Sequence, residues 1–589
     1  QVTTEVDMPQ PGWLLLTDSY FPGWKAYDRV EESEEELQIY QADGNFRAVF
    51  LEAGEHTVRF KYSPLSFKLG LYVTFLAGVI TLVGFGYSFW GHMYREEPKT
   101  TIQRVLKNAL TPMGTSFLNK GVDTAFAMVM LRILGPEGQG KYGFAIFIVG
   151  YFEIVTNFGL DTLLTREVAK DPSQGNRYLS NTAILRLLIL LGVLPLLFIF
   201  LAVWRGLFAL SGDTMAAILL LTFSLIPSSI SAALSSLFRA HEKMEYPAAI
   251  TMVSTILKVT LGLLALLLGF GFVGLAGVSV IVNLATMLIL LYLVIKIFFR
   301  PQLEFNPPFS KEMLGLSYPL MINHLLATLF FRIDVTLLQP MKGNTVVGWY
   351  TAAYKFIEGV NIIPSAFTIA IFPIISRFAQ DARESLIKTY TLAIKALLIV
   401  SLPLALLATF YARGLILIFG GSEYLPHSAI ALSLLIWYAP VGFINSVTQY
   451  LLIAIDQQRF LTRAFLIGLA FNIVANLIFI PSYGYQAAAV ITILSEIALF
   501  LPFYYGVRKH LTSIPWLSLA WRPTLSTLFM GVFLWWFKGL NFLLLVPSSL
   551  LLYLATLVAL GTFTQEEIAI IRELIPLGRR PPDDVAAPR

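Results

Sequence analysis

Residues 134–143 read "LGPEGQGKYG". Gly135 and the pair Gly140-Lys141 have the spacing of a phosphate-binding loop, G-x-x-x-x-G-K. That loop needs a strand before it, a helix after it, and a Ser or Thr behind the lysine to hold magnesium. Here Tyr142 follows the lysine, and the run before Gly135 is apolar and long enough for a membrane helix. The surrounding sequence explains the stretch better. "GKYGFAIFIVGYFEIVTNFG" from Gly140 is echoed 208 residues later by "GWYTAAYKFIEGVNIIPSAF" from Gly348. "LFRAHEKMEY" at 237–246 is echoed by "LLIAIDQQRF" at 451–460, and "GFVGLAG" from Gly271 by "GYQAAAV" from Gly484. The offset stays near 210, so the stretch belongs to an internal repeat, and the reading predicts no nucleotide.

Composition says what kind of repeat. The 589 residues are 56% hydrophobic and 13% charged, with mean hydropathy +0.69. A soluble chain of this length needs far more charge to cover its surface. Many apolar segments of about 20 residues, each able to cross about 30 Å of hydrocarbon, are the alternative. There is no cysteine, which excludes disulfides and thiolate metal sites. The six histidines show no H-x-x-H or H-E-x-x-H spacing, so no metal site or cofactor is expected. The chain begins at Gln1 with no signal segment, which fits the C-terminal part of a longer product or a processed one.

Residues 1–64 read differently from the rest. Alternating runs such as His56 to Tyr62 are separated by turn signals at Pro22-Gly23, Asp43-Gly44 and Ala53-Gly54-Glu55, predicting a small antiparallel β domain. The acidic run "EESEEELQ" at 31–38 reads as a solvated hairpin loop, with calcium binding as the alternative. A membrane span at 65–92 and a basic linker at 93–107 follow. Next come a six-helix repeat at 108–305, a second at 306–510, two extra spans at 511–565, and a tail at 566–589. The expected fold is thus an all-α polytopic membrane protein with about 14 spans, preceded by a β domain and one linking span. Six is even, so the repeats cross in the same direction. Parallel repeats of this kind flank a cleft in transporters.

Lys and Arg divide unevenly between alternate loops, about 24 on one side and five on the other (Lys141, Arg205, Lys342, Arg413 and Lys538). Positive loops stay in the cytoplasm. The β domain and the loop at 134–143 are therefore expected outside a plasma membrane, and the C-terminal tail inside.

Ionisable residues inside a membrane usually face a water-filled cavity or a partner. Glu153, Asn157 and Asp161 stand at i, i+4, i+8. Lys355, Glu358, Asn361, Ser365 and Thr368 run at steps of three and four on the matching span. Ser116, Lys120 and Thr124 map under the repeat onto His324, Thr328 and Arg332, with Asp123 and Asp334 beside them. Four polar stripes in register point to a shared cleft. Lys120, Arg332 and Lys355, with His324, Asn157 and Asn361, are the candidate substrate contacts, because ammonium and guanidinium groups give charge-assisted bonds to a diphosphate. Asp123, Glu153, Asp161, Asp334 and Glu358 are candidates for coupling or for lining the cavity. The structural alternative is ion pairing between helices, as Lys355 and Glu358 could do at i, i+3. Lys258 and Lys395, each alone in its span, are further candidates, with snorkelling to an interface as the alternative.

"LRILGPEGQGKYGFAIFIVGYFEIVTNFGLDTLLTREVA" and "FRIDVTLLQPMKGNTVVGWYTAAYKF" resemble polysaccharide-biosynthesis flippases of the Wzx type, in the MATE-like multidrug/oligosaccharidyl-lipid/polysaccharide exporter superfamily. The resemblance covers about 102–565. It implies translocation of an undecaprenyl-diphosphate-linked oligosaccharide from the inner to the outer leaflet. Implied partners are that lipid-linked substrate, the bilayer, and a polysaccharide polymerase or glycosyltransferase; no nucleic acid is implied. "SYFPGWKAYD" and "YQADGNFRAVFLEAGEHTVRFKYSPLSFKLGL" resemble the C-terminal β domain and last span of YfhO-like membrane glycosyltransferases. Two departures stand out. An acidic run replaces the short hairpin expected after "GWKAY", and the large multi-span catalytic part has no counterpart in the sequence. A transporter rather than an enzyme is therefore expected. The competing reading is an ion-coupled small-molecule antiporter of the same fold, which an acidic, aromatic pocket would favour. An accessory glycosyltransferase role would need a carboxylate pair in an outer loop, and those loops are short and mostly apolar.

Overall fold

The computed structural model describes residues 2–30, 33–62, 101–208 and 210–563, with isolated positions between 64 and 84. Most of the expected linking span at 65–92 and the whole tail at 566–589 lie outside the described residues. The chain divides into two compact units, Gln1–Lys99 and Thr100–Arg589.

The first unit is two antiparallel sheets. One has the order β1 (Val2–Met8), β7 (Gly54–Tyr62), β3 (Trp24–Val30), β4 (Ser33–Leu37); the other has β2 (Gly12–Leu16), β6 (Phe46–Leu51), β5 (Tyr40–Ala42). β1 and β2 alternate between half-buried and exposed residues, as a sheet covered on one face requires. Asp43 and Gly44 both have positive φ, 45° and 74°, the conformation an Asp-Gly hairpin turn demands. Ala26, Val49, Leu51, Val58 and Phe60 form the core. The fully buried Arg47 lies 3.6 Å over the Trp24 ring and pairs with Asp18 at 2.5 Å. In the described part of the acidic run, Ser33–Leu37 form a strand where a loop was expected. Glu34, Glu35 and Glu36 lie in β4 opposite Arg29, Asp28 and Tyr27, with Glu36 held by Lys25 at 2.7 Å. A charged strand at a sheet edge discourages pairing with other chains.

His56 on β7 ties this unit to pH. Its Nδ1 pairs with the Asp28 carboxylate and its Nε2 faces the Glu52 carbonyl at 3.0 Å. The bond to Asp28 holds the imidazole above its ordinary range, against a smaller opposing effect of burial. A histidine raised on folding adds stability that is fully present below its unfolded value of about 6.5. That stability is lost as pH rises through the folded value. The melting temperature of the β unit, followed by calorimetry, should therefore fall as pH rises past neutrality. In His56→Gln the slope should flatten. An unchanged slope would show that this pair does not set it.

In the second unit the first half runs α1 (Thr101–Asn157), α2 (Leu160–Lys170), α3 (Gly175–Phe208), α4 (Gly212–Ala240), α5 (Glu245–Leu267) and α6 (Gly271–Ile297). The second half runs α7 (Pro307–Val360), α8 (Ile362–Asp381), α9 (Arg383–Phe410), α10 (Ala412–Phe419), α11 (His427–Leu435), α12 (Ala439–Ala454) and α13 (Gln458–His510). α14 (Trp516–Trp536) and α15 (Phe542–Ala559) follow. Among the described residues, eleven helical stretches are long and apolar enough to cross a membrane. Three of them are divided at Gly135, Gly343 and Gly484, where the backbone leaves the helix, so there are fourteen limbs of spanning length.

The repeat is written in the backbone. Gly135 (φ 66°, ψ 179°) and Gly343 (φ 80°, ψ 175°) break α1 and α7 in the same way. Gly271 and Gly484 share φ of 55° and 56°. Glu242 and Asp456, rare non-glycine residues at positive φ, match at 57° and 59°. The offset grows from 208 to 213 or 214 beyond α10, a short helix with no counterpart described between α3 and α4. The segment between the halves is tied to α3. Ser180 Oγ accepts from the Glu304 backbone at 2.7 Å, and Asn181 Oδ1 from the Asn306 backbone at 2.9 Å. Asn306 in turn caps α7, its side chain accepting from Phe309 N at 3.1 Å ahead of Pro307 and Pro308.

Candidate functional site between the two repeats

The halves cross at small residues. An ideal Cβ on Gly140 would lie 1.8 Å from the Asn344 carbonyl oxygen, and one on Gly348 would lie 1.7 Å from that of Pro136. The repeat maps 136 onto 344 and 140 onto 348, so the contact is reciprocal about a pseudo-two-fold axis. A Cβ on Gly143 would meet Thr351, its own repeat mate, at 3.3 Å. The glycine that mimics a phosphate loop is therefore a helix-crossing residue, of the kind that lets membrane helices touch backbone to backbone. Lys141 is engaged as well, with Glu137 at 2.8 Å and Asp213 at 3.2 Å. A second contact lies at the far end of the same helices, where Gly159 packs against Ser317 and Leu320.

Charged side chains gather between these contacts. Arg332 stands 11 residues before Gly343 and Lys355 stands 12 after it, each about 16–18 Å along its helix from the break. Glu358 bonds Lys355 at 2.9 Å and lies 3.7 Å from Arg332. The Arg332 guanidinium also sits 4.7 Å from the centre of the Phe147 ring, on the opposite half. Lys120, exposed on α1, adds its charge to the field at Glu358. Three cations from both halves thus act on one carboxylate, Glu358, while the buried Asp334 lies in the field of Arg332. His324 is exposed two turns before Arg332 on the same helical face.

The other candidates make contacts of their own, and of these Asp334 also lies in the field of Arg332. Asp123 pairs with Lys258 at 2.5 Å, within the first half. Asn157 and Asp161 are both held by Arg186, at 2.7 and 2.5 Å. The stripe they were expected to form with Glu153 is interrupted, because Phe158 and Gly159 (φ 52° and 73°) end one helix and Asp161 starts the next. Glu153 is exposed, in the field of Arg186 and Asp161. Asp334 is only 2% exposed and accepts from Tyr350, Thr492 and the Val335 backbone. Asn361 accepts from the Tyr438 hydroxyl.

The sequence profile described as "Polysaccharide biosynthesis protein" matches residues 105–379, and that of MatE matches residues 319–478. A solved structure of the lipid II flippase MurJ, in an inward closed conformation, superposes with TM-score 0.65 at 17% identity, covering 75% of this chain and 96% of that one. An inward-facing multidrug resistance MATE family transporter of the MOP superfamily gives 0.54 at 16%, covering 66% and 93%. A MOP superfamily transporter from Pyrococcus furiosus, reported with a binding pocket of reverse polarity, gives 0.51 at 16%, covering 71% and 97%. No curated protein matches in sequence. The chain has the fold of the MOP-superfamily transporters, with helices long and apolar enough to cross a membrane.

Some groups in this MOP-type fold escaped the sequence reading. Arg186, 1% exposed, also donates to the Ser229 carbonyl at 2.7 Å and so joins α3 and α4. Glu496, also 1% exposed, accepts from Asn445 at 2.7 Å. Both are lone charges in apolar runs, the same signal that flagged Lys258 and Lys395. Tyr350 and Thr492, which hold Asp334, carry no such mark, since uncharged polar residues are common in membrane helices.

Proposed function

We propose that this transporter moves an undecaprenyl-diphosphate-linked oligosaccharide from the inner to the outer leaflet of the plasma membrane by alternating access between its halves. The supporting observation is the group of three cations drawn from both halves, Lys120, Arg332 and Lys355, gathered on Glu358. A diphosphate carries the complementary charge, and it is the part of such a lipid that has to leave the headgroup layer. In this reading His324, two turns before Arg332, is a further contact, while Asn361 and the Asn157–Asp161–Arg186 group are engaged with partners of their own. Asp334, shielded and bonded to Tyr350, is a coupling candidate rather than a contact. The loop-charge asymmetry supports an outward β unit and an inward tail. A polymerase or glycosyltransferase is the natural partner on the receiving side.

Buried Asp334 and Glu496 in the second half favour a second reading, an ion-coupled small-molecule antiporter. The two readings divide on the sign of the cargo. Proteoliposomes carrying a fluorescent short-chain polyprenyl-diphosphate oligosaccharide should show protein-dependent translocation without added nucleotide. Transport of cationic dyes, with no movement of the diphosphate lipid, would replace the first reading by the second.

A further inference from the structure

The β2–β6–β5 sheet has two apolar faces. Leu14, Leu16, Val49 and Leu51 face the core. The outer face of an antiparallel sheet is ordinarily polar. Here it carries Trp13, Tyr40, Phe50 and Leu15, exposed by 55%, 43%, 43% and 41%. Trp13 lies opposite Phe50 in register, and Leu15 and Tyr40 both lie opposite the small Ala48. The Trp13 ring meets those of Tyr40 and Phe50 edge to face, at 5.1 and 5.4 Å between centres. At the rim the Tyr40 hydroxyl donates to Gln38 Oε1 at 3.1 Å, which puts an amide and a phenol beside the aromatic group. The core does not need this face, and a clustered apolar surface of this kind marks a binding site.

Charge selects the occupant. Residues 1–62 hold twelve Asp and Glu against five Lys and Arg, a net charge of −7. An anionic leaflet repels such a domain, and so does a second copy of it. A neutral sugar ring pays neither penalty. Its axial C–H groups are weak donors suited to the negative face of an aromatic ring, and its hydroxyls suit a rim amide and phenol. The geometry points to this face as a binding platform for an uncharged pyranose within an oligosaccharide, centred on Trp13. The choice of a glycan leans on the transport reading above, but its test needs no transport.

Full-length chain in phosphatidylcholine nanodiscs is applied to an array of short neutral hexose and N-acetylhexosamine oligomers. Wild type should be retained on a subset, Trp13→Ala should weaken retention about tenfold, and Trp13→Tyr should keep most of it. If Trp13→Ala misfolds, Phe50→Leu replaces it, judged by an unchanged melting profile. Wild type that binds no glycan overturns the inference, as does retention untouched by both substitutions. Sedimentation with anionic vesicles, or self-association, that disappears in Trp13→Ala while no glycan binds would overturn it too and name the true occupant. Translocation is scored separately. A chain that translocates the diphosphate lipid but ignores the array sinks this inference alone. A chain that binds glycans through Trp13 but moves no lipid sinks only the transport reading.

Discussion

Gly140→Ala should destabilise the helical unit by about 1–3 kcal/mol, the usual cost of forcing a methyl into a packed interior. Translocation should fall with it, by about tenfold or more. The new Cβ would stand 1.8 Å from the Asn344 carbonyl oxygen, against an ordinary contact of about 3.5 Å. Backbone cannot swing aside as a side chain does, so the two halves must part at their crossing. Gly348→Ala should reproduce the effect, because it meets the Pro136 carbonyl in the mirror position. The double substitution should cost less than the sum of the two, since helices already separated by one methyl have room for the second. Gly150 is the control on the same helix. A Cβ there meets nothing within 4 Å, so Gly150→Ala should be neutral or slightly stabilising. Melting temperature in detergent and lipid translocation decide the matter. If Gly140→Ala behaves like Gly150→Ala, the crossing is not a tight contact.

This crossing shows why the repeat was legible. A left-handed backbone position accepts few residues, so Gly135 and Gly343, Gly271 and Gly484, and the acidic pair Glu242 and Asp456 had to leave a mark in both copies of the sequence. Periodicity reads continuous helices equally well. It fails where a helix stops without a compositional cue. Phe158 is a bulky residue at φ 52°, and nothing before Gly159 announces the break that separates Asp161 from the stripe of Glu153 and Asn157. Partners across long sequence distances are the other blind spot. Lys258 stands out in the sequence as a costly charge and Arg186 carries the same mark unread, but only packing brings Asp123 to the first and Asp161 to the second. The acidic run at 31–38, of which Ser33–Leu37 form a strand, misleads for a related reason. Its charge argues for a loop, while its place beside β3 makes it an edge strand.

Arg332→Ala should lower translocation about tenfold to hundredfold at matched membrane levels. A hydrogen bond to a charged group contributes about 1.5–3 kcal/mol, and each 1.4 kcal/mol is about a factor of ten. Arginine suits a diphosphate because its planar fork grips two oxygens and stays charged when partly desolvated. Lysine supplies charge without the fork, so Arg332→Lys should recover part of the loss. The structure offers a rival cause, because Arg332 also rests on Phe147 of the other half and could matter only by holding the halves together. Phe147→Leu separates the two. It removes the ring but leaves the charge, so it should keep most of the activity if the guanidinium serves the phosphate, and mimic Arg332→Ala if it serves the contact. Glu358→Gln sharpens the comparison. Freed from the carboxylate 3.7 Å away, Arg332 should bind the diphosphate more tightly and slow its release, lowering KM together with kcat. Asp334→Asn should act differently, through Tyr350 and stability rather than through KM, because its carboxylate is buried among hydrogen-bond partners on another face of the helix. Full translocation by Arg332→Ala would remove this residue from the path, and with it the charge argument for a diphosphate cargo.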